Sequence, residues 1–144
     1  MIAKRRPRLQ ILGVNIDRRA IELASRYNRA DNLDFAPLPL GEVTGSFDCI
    51  SFFDVMHHTS EDEARSLLEE AEPLMTGHGQ IVIKDVGRKG GWFGYAHDRY
   101  ITRSKVVRLT ELEEMLRIIP NQYRVLKQLR KYRFPLPNYY IDSG

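Results

Sequence analysis

The sequence predicts an α/β fold, a mostly parallel sheet with helices on both faces, and three observations predict it. Strand-like segments alternate with amphipathic helices in the order strand, helix, strand, strand, helix, strand, helix, strand, strand. That alternation is the pattern of a parallel sheet covered by its crossover helices. Helix starts carry capping signatures at Asp17, at Ser60 with Glu63, and at Thr110 with Glu113. The run Phe47-Asp48-Cys49-Ile50-Ser51-Phe52-Phe53 has an apolar core and ends abruptly in Asp54, Val55, Met56 and two histidines. A buried parallel strand looks this way when its carboxyl end opens into a ligand crevice.

The elements follow in order. Arg8 to Ile16 reads as a strand, with Leu9, Ile11, Leu12, Val14 and Ile16 apolar. Asp17 caps a helix whose Ala20, Leu23, Ala24 and Tyr27 share one face at three- and four-residue spacing. Asn28 to Asn32 is turn-like, and Leu33 to Ala36 is a short second strand. Pro37, Pro39, Gly41 and Gly45 mark a loop before the strand Phe47–Phe53. The helix behind Ser60 places Ala64, Leu67, Leu68, Ala71, Leu74 and Met75 on one stripe, and Gly77 and Gly79 are expected to end it. Gln80 to Val86 is the fourth strand. A helix bearing Leu112, Met115, Leu116 and Ile119 follows, stopped by Pro120. Tyr123 to Leu129 and Tyr132 to Ile141 read as a final antiparallel pair joined near Pro135-Leu136-Pro137, whose prolines assign part of the last run to an edge or a loop.

Bulk properties narrow the class. With 144 residues, 42% hydrophobic and 28% charged, the chain has the make-up of one ordinary globular domain, expected to span 1–144. No apolar run reaches the roughly 18 residues a bilayer span needs, and no membrane partner is expected. The one cysteine, Cys49, lies inside a strand, which excludes an internal disulfide and a cysteine metal site; a reducing cytoplasm is the expected setting. Lysine and arginine, which leave a net charge of +3, cluster at residues 4–8 and 124–133 with no stacking-aromatic motif beside either cluster. Solvated helix and strand faces explain such runs better than a nucleic-acid footprint does.

The stretch Phe47 to His58 closely resembles the fourth-strand motif of class I S-adenosylmethionine-dependent methyltransferases, often written F-D-x-I-x-x-x-D-V-x-H-H. Gly13-Val14-Asn15-Ile16-Asp17-Arg18-Arg19-Ala20-Ile21-Glu22-Leu23-Ala24 resembles their second-strand motif, and Leu74 to Gly79 their turn before strand five. The resemblance covers nearly the whole chain and implies a Rossmann-like fold, S-adenosyl-L-methionine as cofactor and a small-molecule substrate. It also implies a truncated domain, because strand one, its glycine-rich loop and the first helix have no counterpart here. Asn15 stands where the family has the acid that holds the ribose hydroxyls, and asparagine loses the charge-assisted strength of that bond. No acid occupies Ala36 to Leu38, where the family often contacts the adenine amine. Since the first strand lies between the second and fourth in that fold, residues 10–16 are expected to pair directly with 48–53. Otherwise a homodimer or companion chain supplies the missing strand.

The resemblance assigns cofactor contacts to Asn15, Ile16, Asp54, Val55 and Met56. His57 and His58 are candidate general bases, since imidazole titrates near neutrality. The alternative for this pair is one histidine packed under the following helix and the other solvated. Adjacent histidines lack the spacing of a zinc pair, so no metal is expected. Lys84 and Asp85 end a strand at the crevice and are candidate substrate contacts. Trp92, Tyr95, His97 and Tyr100 lie in a glycine-bounded segment where the family commonly inserts a substrate cover; an aromatic packing patch is the alternative. The expected activity is methyl transfer to an oxygen, nitrogen or carbon nucleophile, as the carboxyl-terminal part of a larger enzyme. A non-catalytic methyltransferase-like module that associates through exposed central strands is the competing reading. A nicotinamide-dependent oxidoreductase fits less well, having no role for the Asp-Val-Met-His-His segment.

Overall fold

A computed structural model describes residues 2–86, 112–119, 123, 125–133 and 136–143. The chain divides into two compact units, Met1–Thr44 and Gly45–Gly144. The architecture is α/β and Rossmann-like in class, with parallel strand pairs and an antiparallel carboxyl-terminal ladder.

In the first unit, helix α1 (Ile2–Arg5) precedes strand β1 (Ile11–Val14), helix α2 (Arg18–Tyr27) and strand β2 (Leu33–Ala36). Strands β1 and β2 pair in parallel, Ile11 with Leu33 through Val14 with Ala36. β1 is shorter than the expected Arg8–Ile16 because β2 spans four residues, and the ladder closes with the Asn15 amide donating to the Ala36 carbonyl (3.3 Å). The buried Asn32 uses its amide instead, donating to the carbonyls of Ala3 (3.3 Å), Arg6 (3.1 Å) and Leu9 (2.7 Å). This ties α1, which the sequence reading did not expect, to the start of the strand. Asp17 caps α2 as expected, accepting from the amides of Arg19 (2.8 Å) and Ala20 (3.3 Å). The buried side of α2 is Ala20, Ile21 and Ala24, whereas Leu23 and Tyr27 remain 47% and 73% exposed. The helix therefore turns about one residue away from the expected face.

In the second unit, strand β3 (Phe47–Phe53), helix α3 (Glu61–Ala71), strand β4 (Met75–Val86), helix α4 (Leu112–Ile118) and strands β5 (Val125–Arg133) and β6 (Leu136–Ser143) form a sheet ordered β3-β4-β6-β5. β3 runs parallel to β4, and β6 is antiparallel to both β4 and β5. The direct pairing expected between residues 10–16 and 48–53 is not formed. Among the described residues the strand neighbour of β1 is β2 and that of β3 is β4.

Two further expectations are corrected. α3 ends at Ala71, where a short turn through Pro73 takes over, and Gly77 and Gly79 lie inside β4 rather than at a helix end. Gly79 sits at an irregular step in the ladder, between Phe47 opposite Met75 and Cys49 opposite Gln80. A Cβ there would lie 2.8 Å from the Met75 Cβ and 3.0 and 3.2 Å from the carbonyl oxygens of Thr76 and Phe47, so only glycine fits. The last strand is internal over Asn138–Ser143, between β4 and β5, and only its start at Leu136 and Pro137 lies at an edge, as the prolines led one to expect. It tolerates proline because its ladder to β4 begins at Asn138, leaving Pro137 opposite Tyr132 alone.

Burial follows the strand alternation. Phe52, Ile81 and Ile83 are buried, together with Ala64, Leu68 and Ala71 of α3 and Met115 and Ile118 of α4. Cys49, Ser51 and Phe53, on the other face of β3, are exposed. The Arg65 guanidinium of α3 donates to the Arg117 carbonyl of α4 (3.3 Å), and the Tyr123 hydroxyl donates to the Leu68 carbonyl (3.2 Å). Burial, with Glu72 nearby, raises the Tyr123 pKa above its ordinary value. At the start of α3 the expected capping box is formed in both directions. The Ser60 hydroxyl accepts from the Glu63 amide (3.3 Å), and the Glu63 carboxylate accepts from the Ser60 amide (2.7 Å), which lowers the Glu63 pKa.

Candidate active site at the carboxyl ends of two parallel strands

β3 and β4 end side by side, with Phe53 opposite Lys84. Just past β3 the backbone turns sharply at Asp54, whose φ of 56° makes it the one non-glycine residue in the left-handed region among the described residues. Aspartate tolerates that region better than most residues, yet the conformation costs about 1–2 kcal/mol. Two contacts to one neighbour hold it. The Asp54 amide donates to the Lys84 carbonyl (2.8 Å), and the Lys84 ammonium donates to both oxygens of the Asp54 carboxylate.

The chain then makes a single tight turn, Met56–His58. Met56 is fully buried, and the Thr59 hydroxyl donates to its carbonyl (2.8 Å). His57 is 2% exposed and meets Asp85, which is 5% exposed, through two bonds. Its backbone amide donates to Asp85 Oδ2 (3.0 Å), and its Nδ1 lies 2.5 Å from Asp85 Oδ1. His58 is exposed, its ring tilted 43° against that of His57 at a centroid separation of 3.9 Å.

The candidates are therefore distributed unevenly. Asp54, His57, Lys84 and Asp85 come together; Val55 is half-buried beside them. The paired histidines divide into one buried and one solvated. Lys84 and Asp85, the candidate substrate contacts, bond Asp54 and His57. In the other unit Asn15 follows β1, and its side-chain oxygen accepts from the Asp17 amide (2.8 Å). Its neighbour Ile16 is 79% exposed. Trp92, Tyr95, His97 and Tyr100, and the capping pair at Thr110, lie outside the described residues. Sequence spacing also gave no hint that Asp54, His57 and Asp85 would bring three potential ligand atoms within 4.8 Å of one another. The partners are about thirty positions apart, and only the strand register joins them.

The model of the methyltransferase domain matches residues 1–83, more than half of the chain. The chain belongs to the methyltransferase-domain family. Among curated proteins nothing matches the sequence. Solved structures share the fold at low identity. An S-adenosylmethionine-dependent methyltransferase from Anabaena variabilis aligns with a TM-score of 0.71 at 14% identity, over 94% of this chain and 68% of that one. The magnesium protoporphyrin IX methyltransferase of Synechocystis, with bound S-adenosylhomocysteine, aligns with a TM-score of 0.69 at 12% identity, over 92% and 62%. LepI in complex with S-adenosylmethionine gives 0.70 at 14%, over 99% of this chain but only 38% of LepI. This methyltransferase-domain chain thus spans between about a third and two thirds of the length of such neighbours. No helix among its described residues is long and apolar enough to cross a membrane.

Proposed function

We propose that this chain forms part of an S-adenosylmethionine-dependent enzyme that methylates a small molecule at an oxygen, nitrogen or carbon nucleophile. The observation that carries the reading is the family match over residues 1–83, which contains the whole Asp54–His58 turn. Its placement agrees with the chemistry, since open α/β sheets bind ligands outside the carboxyl ends of their strands.

When bound, S-adenosylmethionine supplies an electrophilic methyl group on a sulfonium. The residues of this chain contribute position and proton handling. Asp54 and Val55 would line the cofactor, together with the backbone of Met56, whose side chain is committed to the core. In sequence, Asn15 and Ile16 fall where the family resemblance puts cofactor contacts. His58, being exposed, can exchange a proton with solvent or substrate; His57 is fixed by Asp85. In-line transfer gains mostly from holding the two reactants in geometry, with a base where the nucleophile needs one.

Saturation-transfer spectra of millimolar S-adenosylhomocysteine with the chain test the reading. Transfer to the homocysteine protons, lost when excess S-adenosylmethionine competes, is the expected result. No transfer from a folded sample would overturn it. A second reading, a non-catalytic module that associates by strand addition, is favoured by β1. That strand lies in a two-stranded sheet and leaves Leu12 exposed, and two strands alone are marginal in water. A monomeric mass in solution would count against its homodimeric form.

A further inference from the structure

Successive side chains on a strand point to opposite faces of the sheet. Lys84 and Asp85 are successive residues of β4, so their side chains leave the strand on opposite sides. The burial record agrees: Ile81, Ile83 and Asp85 are buried, whereas Val82 and Lys84 on the alternate face are half-buried. Each reaches the same turn. Lys84 takes Asp54 at the beginning of the turn, and Asp85 takes His57 three residues later. The turn thus crosses the end of the sheet and is gripped from both faces by two neighbouring residues of one strand.

We propose that Lys84 and Asp85 are positioning residues, a two-sided clamp that fixes the Asp54–His58 turn and the hydrogen-bonding state of His57. The clamp answers two local difficulties. Asp54 stands in a left-handed conformation that its surroundings must hold. His57 is buried, so the orientation of its ring is set by whatever it bonds. A carboxylate offers only acceptors, so the Nδ1 atom facing Asp85 Oδ1 carries the proton in either charge state of the ring. Asp85 thereby selects which nitrogen of His57 bears hydrogen, and its second oxygen anchors the His57 backbone amide. Lys84 does the corresponding work for Asp54 through its ammonium and its carbonyl.

The clamp stands on this geometry alone; its consequence for methyl transfer rests on the proposed function. If the turn lines the cofactor, the clamp sets the shape of that wall, and Lys84 and Asp85 act on the reaction through Asp54 and His57.

The test is nitrogen NMR of the His57 ring and amide exchange of Asp54 and His57, in the wild type and in four variants. In the wild type, Nδ1 of His57 carries the proton. Asp85→Asn turns its amide nitrogen toward Nδ1 and moves the proton to Nε2, while its remaining oxygen keeps the bond to the His57 amide. Asp85→Glu, which keeps a carboxylate, restores the Nδ1–H form. Lys84→Met speeds exchange of the Asp54 amide, and Lys84→Arg reverses this; neither moves the His57 proton. An unprotonated Nδ1 in the wild type, or a His57 tautomer indifferent to Asp85→Asn, overturns the proposal. Titrating the same samples with S-adenosylhomocysteine separates the two readings. Loss of affinity in both Asp85→Asn and Lys84→Met supports the link to the cofactor wall. A confirmed clamp in a protein that binds no S-adenosylhomocysteine would leave the clamp standing and remove the proposed function.

Discussion

Asp85→Ala and Lys84→Met each remove one partner from a short side-chain contact to the Asp54–His58 turn. Burial sets them apart. The side chains of His57 and Asp85 are 2% and 6% exposed, whereas those of Lys84 and Asp54 are 22% and 42% exposed. Breaking a buried pair strands a polar group in a low-dielectric interior and costs about 3–5 kcal/mol. An exposed pair is screened by water, and its loss costs about 0–1 kcal/mol. Asp85 also gives up its bond to the His57 amide, which places Asp85→Ala toward the upper end. Against a total stability of roughly 5–15 kcal/mol, one change is severe and the other minor. At about 3 °C per kcal/mol for a chain of this size, the melting temperature should fall by about 10–15 °C for Asp85→Ala and by no more than about 3 °C for Lys84→Met. Circular dichroism melts of both variants beside the wild type make the measurement. If Asp85→Ala does not fold, Asp85→Asn, which keeps an acceptor for the His57 amide, takes its place with a smaller loss. Equal losses in the two positions would refute the reasoning, because they would mean that burial does not govern these pairs.

Two further predictions concern the frame around the turn. Because the Ser60 amide holds the Glu63 carboxylate below the usual glutamate range, the capping box contributes fully above the unfolded value and is lost as pH falls through the lowered folded value. Acid titration of thermal stability should therefore show a loss below about pH 4.5 that Glu63→Gln lacks, and Ser60→Ala should cost about 1 kcal/mol at neutral pH. At the β3–β4 junction, Gly79→Ala should destabilise, whereas Gly77→Ala, with nothing within 4 Å of the added methyl, should be tolerated in the same melts.

The sequence was legible where signals are local. Phe47–Phe53 and Leu33–Ala36 appear with the expected boundaries because apolar strands end where charge or proline begins. The Ser60–Glu63 box is a three-residue motif and formed as read. Gly77 and Gly79 misled because a helix stop and a close strand contact call for the same residue; only the carbonyls of Thr76 and Phe47 decide between them. The rotation of α2 toward Ile21 was equally hidden, since Leu23 and Tyr27 have the right spacing for a buried stripe. At the site, the positions of Asp54 and the two histidines were readable from the end of β3. Their partners were not, because the register of β3 on β4 brings residues together across about thirty positions of sequence.

The most direct test of the central claim is amide shift mapping of the chain with S-adenosylhomocysteine. The sequence holds no glycine-rich G-x-G-x-G run, so affinity weaker than low micromolar is expected. The account predicts saturable shifts centred on Asp54, Val55 and Met56 that Asp54→Ala abolishes. Shifts confined to other parts of the fold, or none at all from a folded chain, would contradict it.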